Sequence, residues 1–203
     1  MHKMTGGLYR PEFEKDACGF GLIANMDDTP SHWLVDTAIK ALERLTHRGA
    51  VAADGKTGDG CGILMKQPAS FQRTVAAEAG IELSTRFASG LIFLHRDETL
   101  ADTARETLAR ELEREGLTLA GWRAVPTDAS VCGAQAIETL PVIEQVFVNA
   151  PDDMDGDLFE AKLVFARRRT ENALPDAHTC PAPTRSAPAL CWNPRRVPTN
   201  LRA

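Results

Sequence analysis

Asp16-Ala17-Cys18-Gly19-Phe20-Gly21-Leu22-Ile23 is the stretch on which the reading of this 203-residue chain turns. Before it lies a polar leader in which Lys3, Arg10 and Lys15 are offset by Glu12, Glu14 and Asp16. The leader has no apolar run and so does not read as a secretory signal. After it, Phe20 to Met26 is apolar-rich and predicts a strand, closed by the polar turn Asp27-Asp28-Thr29-Pro30. Cys18 therefore stands at the mouth of a predicted strand, directly behind a short polar leader.

A free thiol has a pKa of about 8.5 and needs activation to attack an amide at neutral pH. If Cys18 becomes residue one, its own α-amine, with a pKa of roughly 7.7–8.0, can take the thiol proton. One residue would then supply nucleophile and base. The plainer alternative is a small buried hydrophobe at a strand start, a common place for free cysteine.

Outward from this stretch, Ser31 is a plausible N-cap for a helix running through Thr46, with Leu34, Ala38, Leu42 and Leu45 on one face. The helix ends in His47-Arg48-Gly49, which could deliver an arginine to the cysteine. It could equally be an ordinary terminus, basic residues facing the helix dipole and glycine stopping the turn. Asp54-Gly55-Lys56-Thr57-Gly58-Asp59-Gly60 reads as a loop and Gly62–Lys66 as a strand. The loop lacks the order of a P-loop, and Met65 stands where an EF-hand would need glutamate.

Further on, Pro68 opens a helix that Gly80 closes. Phe87–His95 predicts a strand. Glu98–Glu115 predicts a helix with Leu100, Ala104, Leu108 and Leu112 in register, stopped by Gly116. Leu117–Val125 and Val142–Val148 predict strands, and Asp157–Leu174 a helix with Phe159, Leu163 and Ala166 aligned. Helices and strands mixed in this way predict a layered α/β or α+β domain. Residues 175–203 hold six prolines and five charges, with no apolar period. They predict disorder.

Composition narrows the partners. Hydrophobic residues make up 43% and charged residues 25%, ordinary for a globular protein, and the net charge is −5. That balance argues against nucleic acid or an anionic membrane, and no apolar run approaches a membrane span. Cys18, Cys61, Cys132, Cys180 and Cys191 are an odd, widely spaced set, which fits free thiols in a cytoplasmic protein. His32, His95 and His178 have no metal-ligand spacing, so no metal site is expected.

Taken together, Cys18-Gly19-Phe20-Gly21-Leu22-Ile23, His47-Arg48-Gly49-Ala50 and the run from Asp54 to Leu64 resemble the start of a known domain. It is the class II glutamine amidotransferase domain of the glutamate synthase large subunit. The likeness continues through Gly121-Trp122-Arg123-Ala124-Val125-Pro126-Thr127, Ile143-Glu144-Gln145-Val146-Phe147-Val148-Asn149-Ala150 and Phe165-Ala166-Arg167-Arg168-Arg169. It covers about residues 8 to 175.

The resemblance implies an α+β fold of the N-terminal-nucleophile (Ntn) hydrolase type, a four-layer αββα sandwich, here incomplete on its C-terminal side. It implies a propeptide of residues 1–17 cut between Ala17 and Cys18, and a partial amidotransferase domain over 18–175. Cys18 would attack the side-chain amide of L-glutamine and release ammonia. Arg48 would line the nucleophile pocket, and Gly19 and Gly49 would let backbone approach the substrate. No cofactor is implied for this chain. FMN and an iron–sulfur cluster belong by resemblance to the complete large subunit, which partners a small FAD/iron–sulfur subunit.

Relatives continue past the Phe-Ala-Arg-Arg-Arg helix into strands carrying an Asn-Gly oxyanion pair that does not occur here. Loss of such a donor costs on the order of 10²–10³ in rate, so the chain as written is expected to be inactive. Residues 176–203 read as a wrong-frame tail or a natural divergent one. Two other functions remain in play. One is a non-catalytic truncated fragment or interaction module. The other is an amidotransferase serving another acceptor, as in asparagine, aminosugar or purine pathways, against which the leader argues because such relatives usually lose only the initiator methionine.

Overall fold

The computed structural model describes residues 20–45, 51–58, 61–174 and 190–192. The chain divides into two compact units, one of Met1–Ala50 with Gly58–Ile63 and the other of Val51–Thr57 with Leu64–Ala203.

In the first unit the main element is helix α1, His32–Glu43, opened as expected by Ser31, whose hydroxyl accepts from the Leu34 amide. No residue of α1 is fully buried, and Trp33 and Ile39 are exposed. The expected strand over Phe20–Met26 does not form; these residues make no ladder, and Phe20, Leu22 and Met26 are almost fully exposed. Apolar patterning favours an extended chain but cannot supply the partner that a strand needs. The expected strand at Gly62–Lys66 is absent for the same reason.

The second unit is built on an antiparallel sheet of β1 (Phe87–Leu94), β2 (Thr118–Ala124) and β3 (Val142–Asn149), with a three-residue strand β4 (Leu190–Trp192). The order is β2-β3-β1-β4, so β3 is central although it is the last of the three long strands in sequence. β1 and β3 pair without interruption from Phe87↔Asn149 to Leu94↔Val142. β2 meets β3 with a register irregularity between Leu119 and Gly121. β4 lies within the segment read from the sequence as unstructured; it pairs with Gly90, Leu91 and Ile92.

Alternation along the strands sends Ala88, Ile92 and Leu94 of β1 and Val146 and Val148 of β3 to one face. There they meet α3 (Glu98–Arg114) through Ala101, Ala104, Leu108 and Leu112, and α5 (Gly156–Ala173) through Phe159, Leu163 and Ala166. On the other face α2 (Ala69–Glu78) packs Val75 and Ala76, with Ile81, against Phe87 and Phe147. A Cβ at Gly121 would sit 2.8 Å from Ile81 Cγ1, so glycine lets that side chain lie on β2.

α2 and α3 end alike. Gly80 (φ +72°) and Gly116 (φ +73°) take the left-handed conformation, and the next amides, of Ile81 and Leu117, reach back to Ala76 and Leu112. This is the Schellman arrangement, with a buried apolar residue just beyond the glycine in both cases. A 3₁₀ turn at Ala129–Val131 and the short helix α4 (Ala134–Thr139) fill a stretch that carried no periodic signal. The domain is α+β.

Candidate functional site

The residues that sequence reasoning places at the reacting centre, Ala17, Cys18, Gly19, Arg48 and Gly49, lie outside the described residues, as does His47. The structure describes what flanks them. Phe20 to Asn25 leads away from Cys18-Gly19 without regular structure. α1 and its Arg44 cap lead toward Arg48.

Downstream of Gly49, the loop predicted from its glycines closes on Asp54. Its carboxylate accepts from the Lys56 amide at 3.0 Å, the Thr57 amide at 2.8 Å and the Thr57 hydroxyl at 2.6 Å. These bonds, the Thr57 hydroxyl first, hold the Asp54 carboxyl down to about 2, with a contribution from the Ala134 amide. The first turn of α4 thus sits against this loop. A Cβ at Gly133 would collide with Thr57 Oγ1 and Asp54 Oδ2 and come 2.6 Å from Thr57 N. The far end of α4 is held by Arg96, whose guanidinium donates to the Leu140 carbonyl at 2.7 Å and to that of Ile137.

A second polar group, which periodicity concealed, lies on the α2 side of the sheet. Gln145, 6% exposed, donates from Nε2 to Gln72 Oε1 and to Ser89 Oγ, both at 2.7 Å. It accepts from Arg123 at 3.2 Å. Its amide is therefore bonded at both ends, as a buried polar group must be. The signal available in the sequence was a glutamine in register with Ile143 and Phe147 along a largely apolar strand.

The remaining singled-out side chains have local partners. His32 lies 3.5 Å from Asp36 and is largely exposed, and His95 Nδ1 accepts from the Asp97 amide at 2.9 Å. Cys61 is exposed and Cys132 half-buried, both as free thiols. His178, Cys180 and the wider tail, apart from the backbone of 190–192, lie outside the described residues. Among the described residues no three or more His, Cys, Asp or Glu side chains are placed to hold a metal ion, and no helix is long and apolar enough to cross a membrane.

Comparison with known proteins supplies what the flanks alone do not. The model of the family described as glutamine amidotransferases class-II matches residues 18–184, beginning on Cys18. The chain belongs to the class II glutamine amidotransferases. Among the amidotransferase relatives it is similar to the glutamate synthase [NADPH] large chain of Bacillus subtilis (strain 168). That match is 36% identical over 167 residues, 82% of this chain and 11% of the relative. The corresponding large chain of Azospirillum brasilense is 39% identical over 172 residues, 84% and 11% of the two chains. Ferredoxin-dependent glutamate synthase 1, chloroplastic/mitochondrial, of Arabidopsis thaliana is 37% identical over 163 residues, 79% and 10%. The chain spans about a tenth of the length of these curated relatives.

Proposed function

We propose that this chain is the glutamine-hydrolysing portion of a glutamate synthase, with Cys18 as nucleophile. The observation that carries the reading is the family match beginning on Cys18, the residue that stands directly behind the polar leader. Removal of residues 1–17 frees the Cys18 α-amine. The amine takes the thiol proton, and the sulfur attacks the side-chain carbonyl carbon of L-glutamine. Collapse of the tetrahedral adduct passes a proton to the leaving nitrogen and expels ammonia, leaving a glutamyl thioester. Water then cleaves the thioester to glutamate and restores the thiol. Arg48 is the fixed cation that orients the substrate, and Gly19 and Gly49 leave room for it beside the backbone.

In this reading the ammonia is used elsewhere in a larger synthase to convert 2-oxoglutarate to glutamate. FMN and an iron–sulfur cluster belong to those other domains, and a small FAD/iron–sulfur subunit is their partner. The protein works in the cytoplasm without nucleic acid or membrane. The names of the large-chain relatives support this assignment, since both bacterial proteins are glutamate synthases.

The fold proposed with it is the four-layer αββα sandwich. In its support, one face of the sheet carries the α3–α5 layer, while the other shows Leu91, 39% exposed, and half-buried Phe93 and Ile143, apolar residues suited to a second sheet.

The test is covalent. A glutamine analogue bearing a chloromethyl ketone in place of the carboxamide should alkylate one cysteine, and peptide mass mapping should locate it at Cys18. Excess L-glutamine should protect, and Cys18→Ala should abolish labelling. The labelled species should have the mass of a chain starting at Cys18. Labelling of Cys61 or Cys132 instead, or equal labelling with Met1 still attached, would overturn the assignment.

A further inference from the structure

We propose that the cleft between the start of α2, the loop entering β1 and the loop leaving β3 is a binding site for a free, neutral polar α-amino acid. The cleft encloses about 400 Å³, ample for such a molecule, and all its walls belong to the second unit. Its shape is set in advance. The loop of residues 82–86 has no period, yet groups from α2, from β3 and from the segment after β3 hold it. Arg73 donates to the carbonyls of Leu83, Ser84 and Thr85 at 3.1, 2.8 and 3.0 Å. Asn149 accepts from the Ser84 amide and donates to the Glu82 carbonyl, both at 3.0 Å. The Arg86 carbonyl takes the Ala150 amide at 3.0 Å, and the Arg86 guanidinium donates to the Met154 carbonyl. A loop pinned at this many points presents its groups to a ligand with little left to order.

The charges in the cleft name the ligand. Arg73, whose guanidinium lies 4.7 Å from the centre of the Phe87 ring, and Arg86 both line it. Their bonds go to carbonyl oxygens, which leave the charges uncancelled, and each keeps N–H groups to donate. Asp155 also feels the Arg86 charge, but its carboxylate is engaged by the Asp157 and Leu158 amides. Asp152 lines the same cleft and, among the described residues, pairs with neither arginine. Two guanidiniums and a carboxylate that share a cleft without pairing are complementary to a zwitterion, its carboxylate on the arginines and its ammonium on Asp152. A lone anion would face Asp152 and a lone cation the arginines. Gln67 and Thr85, neutral groups that both donate and accept, suit a polar uncharged side chain. A residue within a peptide chain has neither free terminus on its α-carbon, so the ligand is a free amino acid.

The experiment is an amide NMR titration of the full 203-residue chain with L-serine. That probe has no carboxamide to enter the reaction proposed for Cys18, so the two readings stand or fall separately. Saturable shifts are expected at Ala69, Thr85, Arg86 and Asp152. Asp152→Asn and Arg86→Gln should each weaken binding by about tenfold, the loss of one charge-assisted contact, with the spectrum elsewhere unchanged. Arg73 is left in place because it holds the loop. L-serinamide and N-acetyl-L-serine, each lacking one of the two charges, should bind the parent chain as weakly, a readout that does not depend on a variant folding. No saturable shift at the cleft, an affinity that Asp152→Asn leaves unaltered, or inorganic phosphate binding there as tightly as L-serine would overturn the proposal.

Discussion

At the scale of single residues, Gly133 and Asp54 hold the loop after Gly49 by opposite means, one by having no side chain and the other by the bonds its side chain accepts. Gly133 has φ −74° and ψ 161°, which any residue can adopt, so only space forbids a larger one. Gly133→Ala should destabilise the second unit by about 1–3 kcal/mol, read as a lower urea midpoint, because Asp54 and Thr57 must move aside. Asp54 works through charge. Its folded pKa, about 2, lies below the ordinary 3.8, so its contribution is complete above about pH 4 and is lost as pH falls through the folded value. Carboxyl carbon NMR should show that midpoint, and Thr57→Val should move it upward. Neither residue was legible as a pair, since seventy-odd positions of sequence separate them. The roles proposed for Cys18 and Arg48 rest on sequence motifs several residues long, and both residues lie outside the described ones. Gln145 was hidden because, beside Glu144 in β3, it reads as part of a short polar break and nothing in the strand's period says which of the two is buried.

At the scale of elements, α3 is joined to the sheet by charge as well as by its apolar stripe. Arg105 faces Glu144 of β3 with two parallel bonds, Nε to Oε2 at 3.0 Å and NH2 to Oε1 at 2.7 Å, and also reaches Glu98 and Asp102. Glu144→Gln should cost about 2 kcal/mol in denaturant unfolding, because a half-buried guanidinium loses the least exposed of its three carboxylate partners. The C-terminal end of α3 is tied to α5 through Glu115. Burial works to raise its pKa, but Arg169 and Lys162 outweigh that and hold it below the ordinary range. The N-terminal end rests on Asp97, whose carboxylate accepts from Thr99 and Leu100, and Asp97→Ala should cost about 1 kcal/mol. α2, α3, α5 and the three long strands were legible because each is long enough to show a period and ends at a recognisable stop. α4, the 3₁₀ turn and β4 are too short for any period, and the strands expected at Phe20–Met26 and Gly62–Lys66 had the pattern without a partner.

At the scale of the whole molecule, the second unit has its firmest part at the sheet centre, where Val146, Phe147 and Val148 are fully buried between helices on both faces. Hydrogen exchange should show their amides opening only with global unfolding, while those of residues 20–25 exchange at nearly unprotected rates. The mixed α+β composition was legible from the sequence, but the strand order was not, because it depends on contacts between distant segments. That order has a consequence during synthesis. β1 and β2 leave the ribosome before β3, the strand that both must pair with, and α5, which covers part of their shared face, comes later still. At about 5–20 residues per second the wait lasts on the order of seconds. For that interval Phe87–Leu94 is an extended, uncharged peptide without its native neighbour, the kind of segment that chaperones grip on nascent chains. Productive birth of this protein then depends less on how fast its helices wind than on how well one early strand is kept solitary until a later one arrives.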